Sequence, residues 1–193
     1  MGTIALRVGP GDAGLRLSSE EFASALTAAP FIYERVNGRL VVMSPAGPEH
    51  RRISRPFRRE LGLYWGTHPE LVDDVDVEGW VSTSEDDDRI PDICVYLAGE
   101  SSDEVVPLRV PDVIFEFVSA DRSDQERDYI DKRLEYHRIG VKEYIIVDRF
   151  KQAILILLWQ PSDYAEQILG REATYTTPLL PGLQVALGEV FDS

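Results

Sequence analysis

The sequence predicts an α/β fold: a central mixed β-sheet flanked by helices, with an N-terminal helix and a hairpin that extends or covers the sheet. Three observations carry that prediction. Two short runs, "RIPDICVYL" and "VPDVIFEFVS", are rich in β-branched and aromatic residues and read as buried strands. The stretch "RDYIDKRLEYHRIG" places Tyr129, Lys132, Tyr136 and Ile139 at steps of three, four and three, the spacing of one helix face. Asn37 and Gly38, the pair best suited to a tight hairpin turn, join the strand-like residues 32–36 and 39–43.

Taken in order, residues 1–17 read as irregular, and Ser18 with Glu21 has capping-box spacing that opens a helix running to about Ala28 and ended by Pro30. The hairpin follows. A second helix contains "HRRISRPFRRE", with Ile53, Phe57 and Leu61 on one face and Pro56 expected to kink or break it. Val75, Val77, Gly79 and Val81 alternate as in a strand. The acidic residues 85–88 are most simply a solvated turn, because they lack the glycine of a calcium loop. Residues 98–110 form a polar loop between the two strand motifs, and Gly140 is a good helix stop. Residues 143–148 and 153–159 read as strands; beyond them come a polar connection and a short strand near residues 183–187.

The chain has 193 residues, 44% hydrophobic and 28% charged, so one soluble domain spanning 1–193 is expected. A single cysteine, Cys94, forms no internal disulfide, and three scattered histidines give no zinc spacing. No targeting segment is visible, and the longest apolar run is too short to span a bilayer, so a cytoplasmic protein without membrane attachment is expected. The net charge of −14 opposes indiscriminate nucleic-acid binding. Locally, however, Arg51, Arg52, Arg55, Arg58 and Arg59 form a basic helix face, which suits phosphate contacts as well as it suits solvent or an acidic partner.

Chemistry concentrates in the two strand motifs and the helix after them. Alternation puts Asp112, Ile114 and Glu116 on one side of their strand, with Glu116 in mid-strand among apolar neighbours. A carboxylate there must be paired or bound to a cation. An arginine partner would satisfy it equally well. Asp92 opens its own strand after Pro91, where a strand-end aspartate is common. Lys132 either lays its stem along the apolar stripe and sends its ammonium to water or aims that ammonium at the carboxylates. Asp128, four residues earlier, also has the spacing of a surface pair with it.

The chain resembles the Uma-two family of restriction endonucleases, a branch of the PD-(D/E)xK nuclease superfamily. The resemblance rests on "YERVNGRLVVMSP" with His50 after it, "RIPDICVY", "PDVIFEFVS", the helix over residues 128–136, "GVKEYIIVD" and "LPGLQVAL". It implies a restriction-endonuclease-like core in which Asp92, Glu116 and Lys132 form the catalytic set. Asp92, Glu116 and the backbone carbonyl of Phe117 would hold magnesium or manganese, with His50 and Asp128 behind them. Val118 stands where the wider superfamily carries a strand lysine, so Lys132 looks like its migrated substitute. The implied activity is endonucleolytic hydrolysis of phosphodiester bonds in DNA by a homodimer. The alternative is a nuclease-fold protein that binds or regulates a partner without cutting, which the acidic surface and the missing strand lysine favour.

Overall fold

Six strands form the central sheet of the computed structural model, which describes residues 6–99, 109–121 and 125–192. In chain order the strands are β1 (Arg7–Val8), β2 (Leu26–Thr27), β3 (Ile32–Val36), β4 (Arg39–Met43), β5 (Val72–Val77), β6 (Val81–Ser82) and β7 (Asp88–Arg89). After them come β8 (Ile93–Leu97), β9 (Val113–Phe117), β10 (Glu143–Asp148), β11 (Ala153–Leu158), β12 (Ala165–Gly170), β13 (Thr174–Tyr175) and β14 (Val185–Ala186). The helices are α1 (Ser19–Ser24), α2 (Pro48–Thr67), α3 (Lys132–Ile139) and α4 (Leu187–Asp192). The central sheet runs β12-β11-β10-β9-β8-β5; β9 and β10 are parallel, and every other neighbouring pair is antiparallel. The mixed sheet is thus as expected.

Its two faces are covered differently because alternate side chains of each strand point opposite ways. On one face Val113, Phe115, Phe117, Ile145 and Val147 meet Ile53, Phe57, Leu61 and Tyr64 of α2, with Leu187 and Val190 of α4 in the same core. On the other, Ile114, Val118, Tyr144 and Ile146 pack with Tyr136 of α3. Glu116 belongs to this second face, where a crossover from β9 through α3 to the parallel β10 keeps the helix against the sheet.

The hairpin forms in the expected register, with Asn37 at φ 51° and Gly38 at φ 71°, the left-handed values such a turn requires. It belongs to a separate four-stranded sheet ordered β4-β3-β7-β6. Several expectations are corrected. Of the segment expected to be irregular, residues 6–17 are not simply so: β1 pairs in parallel with β2, the Leu40 N–H donates to the Leu15 carbonyl, and the Leu17 N–H donates to the Gly38 carbonyl. The capping box at Ser18 is present, but α1 stops at Ser24, since residues 26 and 27 are drawn into pairing with β1. Pro56 does not break α2, whose 20 residues run on past it. A long apolar face outweighs the one backbone hydrogen bond that Pro56 cannot donate.

The alternating run around residues 75–81 is two strands in two sheets, divided where Glu78 takes φ 58°. Asp88, the last of the acidic run, is fully buried in β7 and accepts from Arg35 Nε at 2.7 Å. The run is therefore a turn only in part. Residues 160–193 hold an edge strand, the pair β13 and β14, and α4, more order than a polar connection and one strand. The loop expected at 98–110 lies largely outside the described residues.

Candidate active site

Antiparallel pairing of β8 with β9 sets Ile93 opposite Phe115 and Cys94 opposite Ile114, so one further step along that register brings Asp92 opposite Glu116. Both side chains fall on the α3 face. Asp92 is held there by the Phe117 backbone N–H, which donates to its Oδ2 at 2.8 Å. His50 Nε2, from the first turns of α2, lies 3.1 Å from the same oxygen. The sequence motif places Asp92 at this strand end, and the backbone of the neighbouring strand fixes it.

Lys132 comes from the opposite side. A π-turn over Arg127–Asp131 precedes α3, with the Lys132 N–H donating to the Arg127 carbonyl, and this widened turn buries Asp128 and Lys132 together. Lys132 Nζ lies 2.7 Å from Glu116 Oε1, 3.2 Å from Asp128 Oδ1 and 3.7 Å from Glu34 Oε1. The Asp128–Lys132 pair is therefore interior, not a surface pair. The Tyr136 hydroxyl, one turn on, donates to Glu116 Oε1 at 3.1 Å. Val118 packs into the apolar cluster of that face.

Three acids surround one ammonium in a buried setting, and burial is the first cause of the titration behaviour. Burial pushes the Glu116 carboxyl well above the usual range; Lys132 opposes this, while Asp92 and Asp128 add to it. Asp128 is raised by burial against the pull of Lys132. For Lys132, burial favours the neutral amine, but Glu116, Asp128 and Glu34 outweigh it and hold the ammonium charged. His50 is raised: burial disfavours its charge, the hydrogen bond and charge of Asp92 overcome that, and Arg149 opposes them.

Sequence reasoning missed the network behind Lys132. Glu34 of β3 is fully buried; its Oε2 accepts from Arg89 at 3.1 Å and its Oε1 from the Ile90 N–H at 3.1 Å. Arg89 in turn grips Glu135 of α3 with Nε at 2.7 Å and a terminal nitrogen at 2.5 Å. Burial acts to raise Glu34, yet Lys132, Arg89, Arg127 and the Ile90 N–H hold it below the usual carboxylate value. The available signal was the one that exposed Glu116: a charged residue set inside a strand-like run, here Glu34 in "FIYERV" and Arg89 before "IPDICV".

Asp92, Glu116, Phe117, Asp128 and Lys132 line a cleft of about 730 Å³, with His50, Arg127 and Arg149 on its walls. A smaller hollow of about 150 Å³ shares Asp92 and His50 and extends to Arg51 and Arg58 of α2. The remaining helix arginines lie outside both: Arg52 pairs with Glu49, Arg59 with Glu60 and Glu189, and Arg55 is exposed. Asp112, at the far end of β9, is engaged by the Leu97 N–H and by Lys142 at 2.9 Å and takes no part in the cleft. Among the described residues no group of three histidine, cysteine or acidic side chains is arranged to hold a metal ion. The oxygen donors of Asp92 and Glu116 still suit magnesium, which takes one or two carboxylates and completes its shell with water and phosphate. Among the described residues Glu116 Oε2 and Asp92 Oδ1 have no hydrogen-bond partner, so one oxygen of each acid is available.

A family model described as "Putative restriction endonuclease" matches residues 19–188, which takes in every residue of this cleft. The chain belongs to the Uma2 family. That membership supports a nuclease. A solved structure described as "a putative nuclease belonging to DUF820 from Anabaena variabilis" is similar at a TM-score of 0.72 and 16% identity, covering 91% of this chain and 98% of that one. It shows that the Uma2 chain and that protein share a fold. A search of curated proteins returns no match. Among the described residues no helix is long and apolar enough to cross a membrane.

Proposed function

We propose that this Uma2 protein is a metal-dependent endonuclease that hydrolyses phosphodiester bonds in DNA. The observation that carries the reading is the meeting of Asp92, Glu116 and Lys132 in one cleft, with Lys132 Nζ 2.7 Å from Glu116. Asp92, Glu116 and the Phe117 carbonyl would hold magnesium or manganese, whose contribution when bound is to polarise the phosphodiester and lower the pKa of water. Surplus negative charge at Glu116 and Asp128 is what a divalent cation would offset.

The chain's own part is positioning and charge. Tyr136 and Lys132 fix Glu116 through one oxygen and leave the other toward the cleft, while the Phe117 N–H and His50 do the same for Asp92. Lys132, kept charged by its three acids, steadies negative charge that develops on the phosphoryl oxygens and orients the attacking water. Arg51 and Arg58, beside the second hollow, lie where an extended phosphate backbone leaving the cleft would pass. A homodimer, bringing two clefts to two strands, and a reducing cytoplasmic setting that keeps the buried Cys94 thiol free belong to the same reading.

The test is cleavage of duplex DNA with magnesium by wild type, Asp92→Asn, Glu116→Gln and Lys132→Met, together with calorimetric titration of manganese. Wild type is expected to cleave and to bind manganese, each variant to lose cleavage by about a hundredfold or more, and the two acid variants to lose manganese. Metal-dependent cleavage that survives Glu116→Gln refutes the assignment. A second reading, a nuclease-fold protein that binds DNA or a partner without cutting, is favoured by the full engagement of Lys132 and by the lack of a third grouped metal-binding side chain among the described residues. Wild type that takes up no manganese would establish it over the first.

A further inference from the structure

Arg149 is the cation of the cleft whose position is hardest to explain by packing alone. It directly follows β10, which runs parallel to β9 with Val147 paired to Phe117, so it emerges at the same sheet end as the Glu116 strand. The turn that carries it is fixed: Asp148 Oδ1 accepts from the backbone N–H groups of Phe150 and Lys151, and the Tyr129 hydroxyl donates to Asp148 Oδ2 at 2.8 Å. Its guanidinium stacks over the Phe150 ring at 4.7 Å, and the side chain lines the cleft beside Asp92 and His50.

Among the described residues Arg149 has no close acceptor for its Nε, which is buried without a hydrogen-bond partner. The Glu49 carboxylate lies 3.7 Å from its Nη1 while pairing with Arg52 at 2.8 Å. The two fully buried arginines are consumed, Arg89 by Glu34 and Glu135 and Arg35 by Asp88 and the Glu85 carbonyl, whereas Arg149 keeps 25% of its side chain exposed. A buried guanidinium N–H left unpaired is unfavourable and calls for an explanation. The planar fork of arginine matches the paired oxygens of a phosphate better than any other side chain does.

We propose that Arg149 is a phosphate-binding residue, its guanidinium taking two oxygens of a nucleic-acid phosphodiester and holding that group at the carboxylate end of the cleft. The inference rests on the nuclease reading for the identity of the phosphate, but not for its existence. It also accounts for how an acidic cleft in an acidic protein admits an anion: Arg149 adds directional positive charge to that of Lys132, whose own three acids offset it.

The experiment compares wild type with Arg149→Ala, Arg149→Gln and Arg149→Lys, each first matched for melting temperature. Affinity for a short fluorescein-labelled duplex is read by anisotropy without metal across a salt series, and kcat/KM for its cleavage is read with magnesium. Arg149→Ala and Arg149→Gln are expected to lower affinity and to lower kcat/KM by about 10- to 100-fold, with Arg149→Lys intermediate because it keeps the charge and loses the fork. Wild type that binds duplex through Arg149 yet never cleaves keeps the phosphate site and overturns the hydrolytic reading. Wild type that binds no duplex overturns both. Arg149→Ala and Arg149→Gln with wild-type affinity and wild-type kcat/KM overturn the phosphate site alone.

Discussion

Replacing Glu34 with alanine tests whether the buried network behind Lys132 holds the two sheets together. Glu34 is fully buried on β3 of the four-stranded sheet and meets Arg89, the Ile90 N–H and Lys132, the last on the helix of the other layer. Removing one partner of a buried ion pair costs about 3–5 kcal/mol, because a desolvated charge is left behind. Here Arg89 keeps its two-pronged contact with Glu135, and Lys132 keeps Glu116 and Asp128, so the lower end, about 3 kcal/mol, applies. For a chain of this length that corresponds to a melting midpoint lowered by about 6–12 °C. Glu34→Gln, which keeps the volume and an acceptor for the Ile90 N–H, should lose less. Thermal and urea unfolding of the three proteins at one pH is the assay. An alanine variant melting within about 2 °C of wild type would mean that the network contributes nothing net and that the layers are joined by apolar contact alone.

Glu143 gives a pH prediction independent of the cleft. It is buried, and its oxygens accept from the Tyr175 and Thr177 hydroxyls; burial raises its pKa above the usual glutamate value, with the Thr177 and Tyr175 hydrogen bonds acting to lower it. A raised native pKa means the folded state holds the proton more tightly than the unfolded state, so stability falls as pH rises from the ordinary glutamate value through the native one. Glu143→Gln should flatten that slope in urea midpoints measured from acid to neutral pH, and an unchanged slope would reject the assignment. On α2, Arg55→Glu with Arg58→Glu should weaken duplex binding and reduce the steepness of its salt dependence by about 0.9 for each phosphate no longer neutralised, whereas a parallel salt plot would remove that face from the DNA path.

Much of the fold was legible because it depends on local alternation and turn chemistry. β8, β9 and β10 could be read from short β-branched runs, the hairpin from Asn37-Gly38, and the end of α3 from Gly140, which takes φ 89° as a left-handed stop. The errors fell where long-range pairing overrides local preference. Residues 26 and 27 leave a promising helix because β1 offers them a partner, and Asp88 leaves a polar turn because Arg35 waits in the next strand. Neither partner is near in sequence. Continuity of α2 through Pro56 was likewise a tertiary matter, decided by how firmly Ile53, Phe57 and Leu61 are packed on the sheet.

By itself the sequence determined which charged residues sit among apolar neighbours: Asp92, Glu116 and Lys132, and, by the same signal read further, Glu34 and Arg89. It also determined that Glu116 lies within a strand and that Asp92 sits at the entry to one, immediately before β8, since two-residue alternation is a local property. Only the tertiary structure decided which charges meet. The β8–β9 register brings Asp92 opposite Glu116, a widened turn before α3 buries Lys132 toward them, and β3 of a second sheet supplies a third acid at 3.7 Å. Such pairings are set by strand register and helix orientation between residues far apart in the chain, and no local pattern encodes them: Lys132 reaches Glu116 16 positions away, and Arg89 reaches Glu34 across 55.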